Sequence, residues 1–175
     1  TRDINAYLLA GWCVIAPVCG ALLWRSHIWI TGGAGSGKSW TLKEIIRPIL
    51  GAAALAVQSE TTEAALRQTL KCDALPVVFD EAEGEDMQKR KGIQKVIGLA
   101  RASSADDGGF LMKGSTSGMV SKYRIRSCFA FASIGVTVTQ QSDRTRITML
   151  TLETVPDSKN KEQRWKDLQK LHAET

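Results

Sequence analysis

Short apolar runs alternate with amphipathic stretches from Arg25 onward, without a repeat or a low-complexity tract. His27 to Thr31 (HIWIT) reads as a short strand ending in glycines, and a helical stretch follows from about Lys38 to Ile46. Pro48 disturbs or ends that helix. Ala52 to Val57 (AAALAV) fits strand or helix, and its length between breakers favours a buried strand. Thr61 or Thr62 is the expected N-cap of a helix over ALRQTL. Leu75 to Phe79 (LPVVF) is continuous and β-branched, as expected of a strand covered on both faces. From about Gly84 to Ala102 a helix places Met87, Ile93, Val96, Ile97 and Ala100 on one side and Lys89, Arg90, Lys91, Lys95 and Arg101 on the other. Residues 103–109 read as a loop and Phe110 to Gly118 as a hairpin or mobile loop. Two more strands follow, Cys128 to Ile134 and Ile147 to Leu152. Trp165, Leu168 and Leu171 mark a terminal amphipathic helix. Alternating β and α segments with buried apolar strands predict an α/β fold, a mainly parallel sheet between helical layers.

One stretch competes with that soluble pattern. Tyr7 to Trp24 carries no charge over 18 positions, the lower limit for a membrane-spanning helix. It has no basic leader, because Asp3 follows Arg2, and Gly11, Pro17 and Gly20 interrupt it. A helix or kinked helix pair packed over the sheet is favoured, with no membrane partner. The expected organisation is therefore an apolar helical segment at 1–26, a core at 27–153 and an amphipathic helix or tail at 154–175.

Composition narrows the class. With 175 residues, 43% hydrophobic and 23% charged, the chain is globular and long enough for one domain with a real core, which excludes a disordered tail or a collagen-like rod. A net charge of +5 is a mild lean towards polyanions. Four cysteines (13, 19, 72, 128) without a C-x-x-C pair, beside only two histidines, argue against a zinc cage and for reduced thiols in the cytoplasm.

The strongest chemical signal is Gly32-Gly33-Ala34-Gly35-Ser36-Gly37-Lys38-Ser39, which fits G-x-x-x-x-G-K-[ST] between a strand and a helix. Glycines let the backbone wrap with its N–H groups inward, and the following helix adds its N-terminal dipole. The eight loop residues, with Trp40 next to them, are the expected ATP-binding set. Lys38 reaches the β- and γ-phosphates, and the Ser39 hydroxyl ligates Mg²⁺. LPVVF then runs into Asp80-Glu81. Asp80 is the expected second Mg²⁺ partner and Glu81 the base that orients the attacking water, with Glu60 a lower-ranked rival. Glu83, Glu85 and Asp86 read as solvated. Ser133, at the end of its strand, stands where a sensor of the γ-phosphate belongs. In Ser142-Asp143-Arg144-Thr145-Arg146 either arginine serves as a finger on a γ-phosphate, supplied to an adjoining subunit. A solvated turn with a surface salt bridge is the alternative. No guanine-reading N-K-x-D motif is present.

Residues 87–126 hold nine Lys/Arg against Asp106 and Asp107, a local +7, while the rest of the chain sums to −2. Such a block suits a phosphate backbone. Lys113 is the expected pore-loop contact with a single strand, supported by Lys122, Arg124 and Arg126. The tryptophans at 12, 24, 29 and 40 lie in apolar surroundings and read as core or interface rather than base-stacking platforms.

Together the blocks ALLWRSHIWITGGAGSGKS, TTEAALRQ, ALPVVFDEAE, YRIRSCFAFASI and SDRTRITML resemble the helicase-like P-loop ATPase segment of phage and prophage primase-helicase proteins, often found beside toprim or primase modules. The likeness runs from about residue 6 to 153. It implies a RecA/AAA+-like P-loop core that forms a ring, hydrolyses ATP with Mg²⁺ between subunits and moves along single-stranded DNA. Lys38 and Ser39 match its first motif, Asp80 and Glu81 its second, and Arg144 or Arg146 the candidate finger. The absent primase part and the ends at Thr1 and Thr175 lead to the expectation of an excised domain. Rival readings are a small-molecule kinase, in which the basic loop at 113–126 is a lid, and a nucleotide-gated assembly module with little turnover.

Overall fold

Side chains leave a strand alternately to its two faces, and HIWIT sends His27 and Trp29 one way and Ile28 and Ile30 the other. The computed structural model describes residues 2–58, 60–82, 87–105, 110–114, 120–136, 138, 140–154 and 158–174. Gly84, Glu83, Glu85, Asp86 and the Lys113 side chain lie outside the described set. Strands are β1 (His27–Thr31), β2 (Leu55–Val57), β3 (Val77–Phe79), β4 (Leu111–Gly114), β5 (Val120–Tyr123), β6 (Phe129–Ser133) and β7 (Ile147–Thr151). Helices are α1 (Arg2–Ile15), α2 (residues 38–50), α3 (Glu63–Leu70), α4 (Met87–Ser103), α5 (Gln141–Arg144) and α6 (Ser158–Ala173), with a 3₁₀ segment at Ala16–Ala21.

Five strands form one parallel sheet in the order β2-β3-β6-β1-β7, and β4 and β5 pair separately as an antiparallel hairpin. On one face Ile28, Ile30, Ala130, Ala132 and Leu150 meet Trp12, Cys13, Ala16 and Cys19 of the N-terminal segment and Leu42, Ile46 and Leu50 of α2. On the other, Trp29, Phe79, Phe129 and Phe131 meet Leu66 and Leu70 of α3 and Ile93, Val96, Ile97 and Ala100 of α4. Trp29 stacks on Phe131 with ring centroids 5.0 Å apart. Helices on both faces of a parallel sheet make this a three-layer α/β/α fold.

Two places in the helical pattern stand out. Of the two expectations for Pro48, it disturbs its helix rather than ending it: α2 is π-helical over Thr41–Ile46 and continues as α-helix through Arg47–Leu50. A proline ring collides with the carbonyl four residues back, and a widened turn ahead of it relieves that collision. Met87 is exposed rather than part of the apolar face of α4. Thr62 is the N-cap of α3, accepting from the Ala65 amide at 3.2 Å.

Ile4–Ala21 is long and apolar enough to cross a membrane by length and composition. Its inward side is core, while Ile4, Tyr7, Leu8, Val14 and Val18 face outward. Two buried polar residues fasten β1 at its start. The Arg25 guanidinium, 1% exposed, donates to the carbonyls of Ser103, Leu22 and Cys19, so it caps the carbonyl end of α4 and ties the 3₁₀ segment to it. His27 accepts the Phe129 amide on Nδ1 at 3.1 Å, so Nε2 carries its proton and donates to the Ala100 carbonyl at 2.8 Å. Burial and the nearby Arg25 and Arg146 guanidiniums push the His27 imidazole down to about 4.

Candidate nucleotide site

Because β1, β3 and β6 are parallel and in register, their C-terminal ends share one edge of the sheet, where ligands of such sheets bind. The glycine-rich loop leaves β1 at that edge. Gly37 is the N-cap of α2 with φ +94°, a conformation that favours glycine. A Cβ on Gly32 would stand 2.5 Å from the Leu152 carbonyl oxygen and 2.6 Å from Ser36 Oγ, so the loop closes only around a residue without a side chain. Lys38 Nζ donates to the Gly32 and Gly33 carbonyls at 2.7 and 2.9 Å, which holds the ammonium inside the loop. Ser39 is exposed beside it.

Asp80 follows β3 directly. Val77 and Phe79 face the aromatic core, so the alternation sends Val78 and Asp80 to the α2 side of the sheet. There Asp80 lines a cavity of about 370 Å³ with Leu42, Lys43, Arg47 and Gln58. Strand β6 separates β3 from β1, so the two motifs stand about 10 Å apart across the sheet. The alanines 130 and 132 of β6 lie on this α2 face between them. Glu81 has φ +56°, uncommon for a residue with a side chain, and its amide donates to Asp80 Oδ1 at 3.0 Å. This contact restrains the Asp80 carboxylate. Glu60, exposed, stands in the turn after β2 at the same edge.

Ser133 ends β6 opposite Thr31, but its hydroxyl is engaged: it accepts from Trp29 Nε1 at 2.8 Å and donates to the Gly135 carbonyl. Trp40 turns its ring edge-on to Trp165 of α6, with centroids 5.8 Å apart, which brings the C-terminal helix beside the start of α2.

Arg144 and Arg146 lie at the opposite edge, because they precede β7, and β7 runs parallel to β1. Arg146 is committed to its own chain: Nη1 donates to the Ser142 carbonyl, and the guanidinium sits 5.6 Å from the Trp24 ring. Asp143, 2% exposed, pairs with Arg101 at 3.0 Å and anchors the turn. Arg144 is exposed. Neither arginine can reach the loop of its own chain from there.

No family model and no curated protein matches the sequence. Solved structures resemble it in fold. The JCV helicase is 15% identical, with 82% of this chain aligned to 40% of that one at a TM-score of 0.46. The Thermotoga maritima RuvB Holliday junction branch migration motor is 16% identical, with 88% aligned to 45% at a TM-score of 0.48. The chain thus spans less than half the length of either. At these identities and scores no residue role is carried over.

The hairpin of β4 and β5 enters β6 from its N-terminal end, and Arg124 donates its amide to the Lys71 carbonyl past the end of α3. The described basic residues of 120–126 therefore sit at the edge away from the glycine loop. Lys122 is exposed, and the Arg124 guanidinium lies 5.9 Å from the Phe110 ring.

One feature of the nucleotide edge has no sequence motif. An apolar cavity of about 300 Å³ opens beside Ser36, between α1 (Asn5, Ala6, Leu9), Ile45 of α2 and Leu152 after β7. Asn5 Nδ2 donates to the Thr151 carbonyl at 3.0 Å and so fixes α1 there. Only the tertiary fold brings residues 5–9 and 151–153 to the loop.

Proposed function

We propose that the chain is the Mg²⁺-dependent, ATP-hydrolysing core of a cytoplasmic, ring-forming motor that moves along or unwinds single-stranded DNA. The observation that carries the reading is the meeting of the Lys38 loop and the Asp80-Glu81 pair at one edge of a parallel sheet. The residues fit the substrate: the Gly32 and Gly37 backbone forms the loop, and Ser39 and Asp80 are the hard oxygen donors Mg²⁺ takes. Ser39 and Asp80 would hold the metal, which would supply neutralisation of the charge on the transferring phosphoryl group.

Lys38 exchanges the two loop carbonyls for phosphate oxygens. Glu81 orients the attacking water in line and accepts its proton on a carboxylate oxygen. Glu81 is favoured over Glu60 in that role because it follows Asp80 directly past the end of β3. Arg144, outward-facing at the far edge, serves the site of a neighbouring subunit, and Arg146 holds the turn in place. Placing Arg144 this way requires a ring or another closed homo-oligomer. The apolar cavity beside Ser36 suits a nucleobase, with Ala6, Leu9, Ile45 and Leu152 against its faces. The blocks shared with primase-helicases support a primase module as a companion in the parent protein.

A small-molecule kinase is the second reading, favoured by the polar cavity beside Asp80, where Lys43 and Arg47 would hold an anionic acceptor. The position of residues 120–126 at the other edge speaks against their acting as its lid.

Phosphate release from ATP, titrated with oligothymidylate at two salt concentrations, separates the two. The motor reading expects turnover that the strand stimulates and that added salt weakens. It also expects Lys38→Ala to abolish turnover, and Glu81→Gln to bind ATP without hydrolysing it. Phosphate transfer to a nucleoside or metabolite, unaffected by DNA, selects the kinase.

A further inference from the structure

The β4–β5 hairpin has two unlike faces. Leu111 packs on the core, and its partner Tyr123 is buried under the Arg67 guanidinium, 4.7 Å from the ring. Arg67 is itself held by Glu63 at 3.0 Å, so this inner face is fixed to α3. The outward positions are the alternate ones. Met112 pairs with Lys122 and Gly114 with Val120 in the antiparallel register. One step beyond Leu111 and Tyr123, Phe110 meets Arg124. Phe110, Met112 and Val120 are 51%, 62% and 61% exposed. Apolar side chains this exposed on a short ribbon, interleaved with two cations, are not there for the core of their own chain.

The charge around them chooses the partner. This ribbon belongs to the segment of net +7 in a chain whose remainder sums to −2. An aromatic face beside a guanidinium is the device that holds an unpaired base, which stacks on the ring while the cations neutralise adjoining phosphates. A duplex offers no free base face, so the chemistry fits a single strand. We infer that the outward face of the hairpin is a single-strand binding surface in which Phe110 is the base-stacking platform and Lys122 and Arg124 are its phosphate contacts. This inference rests on the motor reading for its nucleic-acid partner and adds the residue that grips the base.

The test uses fluorescence anisotropy with two probes, a labelled oligothymidylate and an abasic strand of the same length. The wild-type chain should bind the thymidylate more tightly than the abasic strand. Phe110→Ala should weaken thymidylate binding roughly 5- to 150-fold, the range that base–aromatic stacking spans, and leave the abasic strand nearly unaffected. Phe110→Trp should restore it. Lys122→Ala should weaken both probes and flatten the salt slope by about 0.7. Wild-type affinity for thymidylate in Phe110→Ala overturns the stacking platform while leaving the motor reading intact. Equal losses on both probes overturn it too, since they mark a misplaced hairpin. A wild-type chain that binds neither strand overturns the surface and the nucleic-acid reading together.

Discussion

Acidification should destabilise this protein through His27, and the size of the effect follows from its surroundings. The imidazole is wholly buried, receives the Phe129 amide on Nδ1 and gives its single proton to Ala100. Burial disfavours the charged ring, and the Arg25 and Arg146 guanidiniums add repulsion, so the group is pushed down from 6.5 to about 4. The unfolded chain takes up that proton from about pH 6.5 downward, and the folded chain does not until about pH 4. Stability from this group is therefore complete above pH 6.5 and lost as the pH falls through that window. At about 1.4 kcal/mol per pH unit per proton, the loss accumulates to about 3 kcal/mol. That is a large share of the ~5–15 kcal/mol by which a domain is held together. Carboxylates titrate in part of the same range, so the comparison must be with His27→Gln, which cannot titrate but can offer an amide donor and an acceptor. Urea unfolding between pH 7.5 and 4.5 should show a wild-type stability that falls more steeply than that of the variant, the curves converging towards pH 4. Parallel curves would refute the reasoning. Since His27 begins the strand that carries the glycine loop, ATP affinity should decline over the same pH window.

Two further predictions concern residues at the far edge from the loop. Arg25→Met should cost about 3–5 kcal/mol in urea unfolding, since it removes the guanidinium donor from the Ser103 and Leu22 carbonyls, and Arg25→Lys should recover part of it. Arg144→Ala should lower turnover by roughly 10³-fold or more without weakening ATP binding, as loss of an arginine finger does. An equimolar mixture of Arg144→Ala with Lys38→Ala should regain part of the turnover, because one mixed interface is intact. Absence of recovery in a mixture shown to exchange subunits would remove Arg144 from the neighbour's site.

The glycine loop, the strand ahead of it and the Asp80-Glu81 pair were legible in sequence because each depends on local chemistry: glycine torsions, an apolar β-branched run, a helix start. The two-faced core was legible too, since HIWIT, LPVVF and CFAFASI are continuous apolar runs, as strands covered on both faces are. What sequence left open depends on distant partners. Pro48 could disturb or end its helix, and the π turn in α2 decides for the first. Ser133 stands at its expected strand end, yet the Trp29 indole, 104 residues away in sequence, already occupies its hydroxyl. Arg144 and Arg146 are equivalent by pattern and separate only when Trp24 and the Ser142 carbonyl take up one of them. Arg25 looks like a surface charge in sequence, and nothing local says that the end of α4 will close over it. Phe110 carried no signal until the register of the hairpin showed which way it faces.

The account turns on Ser39 and Asp80 holding one metal ion beside a triphosphate cradled by the Lys38 loop. Crystals grown with Mn²⁺ and a non-hydrolysable ATP analogue, measured at the manganese edge, locate that ion directly. The account predicts a single anomalous peak at the C-terminal edge of the sheet, on the Ser39 hydroxyl and within one water layer of the Asp80 carboxylate. A bound analogue whose manganese lies away from both side chains would contradict it.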